Sequence, residues 1–433
     1  MRWPLRRMMR RTMKHNRFFK SMYRTEEFSL SFAKWVLLAL LIGGIGGIVG
    51  TAFRVSVFAC NALFDAHRWL VFLLPLGGLV IVFLYHAAGF TSPMGTNRII
   101  RSVRREAKIP LVVAPLIFAA TVLTHIFGGS AGREGAALQI GGAIGGLVSR
   151  RVRLAPADAS LAVLAGMAAV FAALFGVPVA SVVFALEVIS VGIIHYAGLV
   201  PCSVASFAAF FLSEKLAPFE SMGRAVIFPS FDWLLLLKCV VMGLCCAGLS
   251  ILFVLSLDLS RGLFARFVSN AYLKILLGGL MIIGLSLLFS TGRYNGSGIG
   301  VIRDALNGQG CWYDFLLKIL FTAITLGVGY KGGEIVPTLF IGASMGCWAG
   351  ALLGMDPSLG AALGLCGTFC GAVNCPLASL VMGIELFGGT GLPYIAICCF
   401  VSYMMSGYFG LYESQKIMYS KLHARLINIH TRA

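Results

Sequence analysis

Four stretches of this chain combine residue types that can handle an anion and a proton. The first is GGSAGREGAALQIGGAIGG, residues 128–146. Gly128, Gly129, Gly132 and Gly135 stand just before a helix-like apolar run. A glycine-rich break followed by a helix leaves unpaired backbone N–H groups and the positive end of the helix dipole at the break. Such a helix start is an anion site. Glu134 stands at that spot, between Arg133 and Gly135. Its carboxylate can fill the anion position when ionised and yield it when protonated, so one residue can be both gate and proton carrier. The plainer alternative is a glutamate held permanently by Arg133 or by the helix end.

The second stretch is YKGGEIVPTLFIGASMG, residues 330–346. Gly332, Gly333 and Pro337 predict a helix beginning near Val336, another broken helix start but without a gate. Gly333, Ile335 and Val336 are its candidate anion-binding residues, as Gly132, Arg133 and Gly135 are around Glu134. Glu334 is expected to pair structurally. The third stretch is SPMGTNRII, residues 92–100, with Met94 before Gly95. The fourth is FGLYESQK, residues 409–416, where Tyr412 follows the last apolar run. A tyrosine there is an interfacial anchor, or its hydroxyl donates to an anion. GASMG at 342–346 fits the G-x-S-x-G nucleophile pattern, but no buried strand precedes it and its repeat mate GGAIG lacks the serine. His86, His125 and His195 are scattered without a motif, so no enzyme and no cofactor is expected.

The elements that must position these residues follow from composition. Of 433 residues, 58% are hydrophobic and 12% charged, with mean hydropathy +0.89. A soluble domain carries about 25% charged residues. A chain this long with so little polar surface must face lipid, which excludes soluble enzymes, fibres and disordered chains. Eleven apolar runs lie between residues 35 and 410, many broken by glycine pairs or proline. Most of the 12 cysteines sit in such runs, where they are small packing residues.

The runs repeat. VPVASVVFALE at 177–187 matches CPLASLVMGIE at 375–385, with Pro178 on Pro376 and Glu187 on Glu385. IGGAIG at 140–145 matches IGASMG at 341–346, and Gly95 falls on Gly298. Paired halves with glycine-interrupted apolar segments are the mark of a transporter. The expected organisation is a basic segment 1–34, a transmembrane domain 35–410 made of halves 35–215 and 230–410, and a tail 411–433 carrying Tyr412. The net charge of +18 is concentrated before the first run and in the tail. That placement reads as positive-inside signals rather than nucleic-acid binding, with both termini cytoplasmic.

Together these residues resemble the CLC family of chloride channels and anion/proton exchangers, over about residues 35–415. GREG at 132–135 is similar to the family's gating-glutamate motif, with Ala136 in place of its proline. GGEIVP at 332–337 is similar to its second-half motif, with Ile335 at the phenylalanine position. Tyr412 falls where the family's central tyrosine lies. The resemblance implies an all-α polytopic fold of two inverted helical repeats with broken half-membrane helices, and a homodimer in a cell's inner (plasma) membrane.

The departures point to one branch. Pro93-Met94-Gly95 replaces a G-S-G whose serine hydroxyl binds chloride, and a thioether donates no hydrogen bond. Val188 stands where the chloride/proton exchangers carry an inner glutamate. With the GGE-x-x-P form, these departures are similar to the fluoride/proton antiporter branch. The expectation is therefore fluoride export in exchange for protons, through Glu134, with Met94, Gly95, Gly132, Arg133, Gly135, Gly333, Ile335, Val336 and Tyr412 at the anion path. A chloride/proton exchanger or a gated chloride channel of the same family is the alternative.

Overall fold

The computed structural model describes residues 17–90, 95–107, 109–219, 226–289 and 292–432. Met94 and the basic residues 1–16 lie outside the described residues. The described chain is a polytopic helical membrane protein. Its first half contains α1 (Arg17–Ala66), α2 (Leu74–Ala87), α3 (Thr96–Val103), α4 (Val113–Ile126), α5 (Glu134–Arg151), α6 (Pro156–Phe175), α7 (Pro178–Glu187) and α8 (Leu199–Leu216). The second half repeats the series as α9 (Trp233–Phe267), α10 (Ala271–Leu288), α11 (Ile299–Leu306), α12 (Asp314–Gly327), α13 (Ile335–Leu352), α14 (Pro357–Val373), α15 (Pro376–Phe387) and α16 (Leu392–Met405). Among the described residues, seven helical segments are long and apolar enough to cross a membrane by themselves, and shorter apolar helices accompany them. Large apolar side chains such as Leu37, Phe83, Phe211, Leu237 and Leu288 are exposed, as a lipid-facing surface requires.

Local sequence explains the boundaries. Pro156, Pro178, Pro357 and Pro376 each open a helix, where a missing N–H costs nothing. Asp232, Asn270 and Asp356 cap helix starts with side-chain oxygens. The apolar runs 160–190 and 360–389 are each two helices, because Pro178 and Pro376 restart the chain after Gly176 and Asn374, both left-handed. The eight-residue helices α3 and α11 fall outside the apolar runs, since they are too short and too polar to register in hydropathy.

The two halves pack alike. In the first, α5 lies so close to α6 that a Cβ on Gly145 would stand 2.8 Å from the Cα of Val163. In the second, a Cβ on Gly346 would stand 2.8 Å from the Cα of Gly364, between α13 and α14. Equivalent helices of the two halves meet antiparallel. Gly78 of α2 faces Ile275 of α10, while Gly279 faces Pro75. A two-fold axis lying in the membrane plane makes equivalent helices antiparallel, whereas an axis along the membrane normal would leave them parallel. The repeat is thus inverted.

Across the same axis α7 and α15 exchange glutamates. Glu187 at the end of α7 accepts from the Leu377 and Ala378 amides at 3.2 and 2.9 Å. Glu385 of α15 accepts from the Val179 and Ala180 amides, both at 2.8 Å. After α16 the chain forms strands β2 (Lys416–Tyr419) and β3 (Leu426–His430), which pair antiparallel with Ile417 opposite Ile429. β2 also pairs in parallel with the two-residue β1 (Ser190–Val191).

Candidate anion and proton site

The inversion brings the two glycine-rich breaks face to face. Gly132 and Gly333 form an antiparallel bridge in which each amide donates to the other's carbonyl at 2.7 Å. α5 and α13 start immediately after this bridge, at Glu134 and Ile335. Gly333 must be glycine, because a Cβ there would stand 2.7 Å from Glu134 N, from Gly135 N and from the Glu134 carboxylate.

Glu134 lies in the junction and is fully buried. Its Oε2 accepts from the Arg133 amide at 3.0 Å and from the Val336 amide at 3.1 Å. The second of these belongs to the other repeat half. A carboxylate oxygen therefore sits where two helix starts converge their free N–H groups, which is the position an anion would take. Oε1 has no partner among the described residues.

The structure brings together Gly132, Arg133, Glu134, Gly135, Gly333, Ile335 and Val336. Arg133 enters the junction through its amide. Its buried guanidinium points away, with the carbon centre 4.6 Å from the centre of the Phe58 ring and one N–H reaching the Leu174 carbonyl at 3.4 Å. Gly95 caps the start of α3. Thr96 beside it sets its Oγ1 3.4 Å from the Gly135 carbonyl. The weak Gly95–Gly298 match is a structural equivalence, since both residues cap the short helix of their half.

Of the two readings of Tyr412, the interfacial anchor fails. The ring is 2% exposed, and its hydroxyl has no partner among the described residues. Its backbone is clamped by the tail. Thr431 Oγ1 donates to the Tyr412 carbonyl at 2.6 Å, and Arg432 donates to the carbonyls of Gly410 and Leu411.

Gly95, Thr96, Gln139, Tyr330, Lys331 and Tyr412 border a cavity of about 750 Å³ on the tail side. The equivalent helix start, α11, opens into a different cavity of about 480 Å³ with Asn61, Arg68, Arg293 and Asn295. Glu134 lines neither cavity; it is sealed in the protein between helix starts.

Glu334 pairs as expected, although its partner is Arg261 of α9 at 3.1 Å. Arg261 also reaches Glu413, and Arg432 pairs with Glu413 and Asp258. This network ties the tail to the start of α13. Val188 is fully buried, and its carbonyl accepts from Gln415 Nε2 at 3.1 Å. Ser344 donates within its own helix to Phe340, and both ring nitrogens of the buried His125 lie against backbone carbonyls. Sequence reasoning missed Thr96 and Gln139 at the site. Gln139 carries a readable signal: it is the polar residue in the apolar run 135–148, five positions after Glu134.

Known proteins share this frame. Residues 77–407 match the family described as voltage gated chloride channel. A chloride/fluoride channel protein of Pseudomonas syringae pv. tomato is 33% identical over 404 residues, covering 91% of this chain and 89% of its own. An H+/Cl− exchange transporter of Vibrio campbellii is 24% identical, with 81% of each chain covered. The crystal structure of a CLC-type fluoride/proton antiporter superposes with a TM-score of 0.85 at 34% identity, over 88% of this chain and 98% of that one. A slow cyanobacterial Cl−/H+ antiporter superposes with a TM-score of 0.74 at 20% identity, over 86% of this chain and 94% of its own, which speaks to the fold alone.

Proposed function

Because the chain belongs to the CLC family of chloride channels and anion/proton exchangers, we propose that it is a fluoride/proton antiporter that exports fluoride from the cytoplasm in exchange for protons. One observation carries this reading: Glu134 Oε2 takes the Arg133 and Val336 amides together. Ionised Glu134 acts as a tethered anion that closes the path. Protonation removes its charge, weakens its hold on the two amides and frees them for fluoride. When fluoride leaves and the proton is lost, the carboxylate returns. Gate and proton carrier are then the same group, and anion movement is tied to proton movement.

Fluoride suits the junction better than chloride does. It is small and a strong hydrogen-bond acceptor, and the junction offers backbone amides at close range. Met94 supplies no hydroxyl donor where a serine would serve chloride. The relatives whose names include fluoride, one of them together with chloride, are 33% and 34% identical to this chain, against 24–27% for H+/Cl− exchange transporters. A chloride/proton exchanger is the second reading, favoured by the Tyr412 hydroxyl, which has no partner among the described residues and is a donor available to a larger anion.

The tail side is assigned to the cytoplasm, since the basic flanks of the chain would be retained there. The proposed assembly is a homodimer in the cell's inner (plasma) membrane, with one pathway per subunit. The test is anion efflux from proteoliposomes, fluoride against chloride, with internal pH recorded. The reading expects fluoride efflux that takes protons up and chloride efflux well below it. Equal fluxes of the two anions would overturn the fluoride assignment.

A further inference from the structure

Apart from two guanidinium nitrogens of Arg133, which point away, three buried polar atoms around the site have no partner among the described residues: Glu134 Oε1, Gln139 Oε1 and the Tyr412 hydroxyl. Gln139 is 3% exposed and belongs to α5, the helix that Glu134 begins. Its amide orientation is fixed by chemistry. Nε2 donates to the Gly135 carbonyl at 3.0 Å, and a flip would set oxygen against oxygen. Thr96 Oγ1 approaches the same carbonyl. Gln139, Thr96 and Tyr412 all border the tail-side cavity. That cavity is therefore bordered by two polar side chains on the carbonyl of the residue after Glu134, and by the Tyr412 ring.

An amide oxygen repels an anion, so Gln139 Oε1 is no fluoride ligand. It suits a small hydrogen-bond donor, and a buried water typically binds such polar groups with about three hydrogen bonds. We infer that Gln139, with Thr96 and the Tyr412 hydroxyl, holds a water in the tail-side cavity, and that this water takes the proton from Glu134 once the protonated side chain has left the junction. The inference rests on the antiport reading above. In the step, the O–H bond of protonated Glu134 breaks and a new O–H bond forms on the water, giving hydronium. Gln139 Oε1 accepts one of its hydrogens. The hydronium passes a proton to cavity water and becomes water again, and Glu134 is left as the carboxylate that re-enters the junction.

The acids that face this cavity are already engaged. Glu106 pairs with Arg104, and Glu334 and Glu413 both pair with Arg261. Lys331, also facing the cavity, lies over the Tyr85 ring and offers no acceptor. That leaves Gln139 Oε1, a neutral acceptor on the helix that Glu134 begins, as the group bordering the cavity that can fix a water.

The test uses the full chain in proteoliposomes. Gln139→Leu should lower proton-coupled fluoride turnover by about tenfold or more, the scale of a proton-transfer aid. It should also enlarge the solvent deuterium isotope effect on turnover, while fluoride affinity read by calorimetry stays near wild type. Gln139→Glu restores an acceptor oxygen and should recover most of the turnover. If Gln139→Leu does not fold, Gln139→Met makes the same comparison. Wild-type turnover in the leucine or methionine variant would overturn the inference. So would a loss that tracks fluoride affinity and is not recovered by glutamate. If the wild type itself moves no protons, the antiport reading falls; if it couples and Gln139 is dispensable, only the water site falls.

Discussion

Three glutamates lie against helix starts of the opposite repeat half, and the structure uses them in two ways. Glu187 and Glu385 each spend both carboxylate oxygens on two consecutive amides of the partner helix. The exchange is reciprocal and fastens α7 to α15. Glu134 spends only Oε2, on one amide of its own helix start and one of α13, and its Oε1 has no partner among the described residues. Each carboxylate takes two amides, but in the fasteners one bond falls on each oxygen and both amides belong to one helix start, whereas in Glu134 both fall on Oε2 and come from two helix starts. One free anion can stand in for that single oxygen and keep both amides. Fastener and gate thus differ in how the two bonds are placed, not in their number or in residue type.

Several changes would break or sharpen this contrast. The largest effect belongs to Glu134→Gln, because an amide cannot titrate. Fluoride-driven proton uptake in proteoliposomes should fall by about a hundredfold or more, to the background of empty vesicles. Proton pumping that survives this change would remove Glu134 from its role. Glu187→Ala and Glu385→Ala come next, and they act on stability. Each leaves two helix-start amides unsatisfied, at about 1.5–3 kcal/mol per charge-assisted bond. Thermal unfolding in detergent should shift down strongly, while protons moved per fluoride stay at the wild-type value. A changed ratio in either variant would erase the distinction between fastener and gate.

Met94→Ser should restore a hydroxyl donor before Gly95. One neutral hydrogen bond contributes about 0.5–1.5 kcal/mol, so the chloride-to-fluoride flux ratio should rise roughly three- to tenfold. An unchanged ratio would move the origin of selectivity to Ile335 and Val336. The smallest effect is expected from Tyr412→Phe, since the lost hydroxyl has no partner among the described residues and Gln139 and Thr96 still hold the water. Turnover should change by less than about threefold, within the worth of one neutral hydrogen bond.

Much of the frame is legible in the letters. The paired glycine breaks, Pro178 with Pro376 and Gly95 with Gly298 recur at nearly constant spacing, and each marks a helix start in the structure. Glu134 is legible because an acid in an apolar glycine-rich segment is costly without a use. What stays hidden depends on which elements touch. Glu187 and Glu385 align in the repeat, yet alignment cannot reveal that each reaches the other's helix. Inversion is a statement about direction, which hydropathy does not carry. The burial of Tyr412 follows from the tail folding back through Thr431 and Arg432, residues more than fifteen positions further on. Gln139 is visible as a polar residue, but its unpaired oxygen is a property of packing.

The central claim is that fluoride and the ionised Glu134 carboxylate compete for the Arg133 and Val336 amides. Fluoride binding to the purified protein, followed by calorimetry in buffers of different ionisation enthalpy, counts the protons exchanged on binding. Displacing the carboxylate favours its protonation, so fluoride should bind more tightly as pH falls and take up about one proton per site. Glu134→Gln should bind fluoride with no proton uptake. Fluoride binding to the wild type that is proton-neutral across the same pH range would contradict the account.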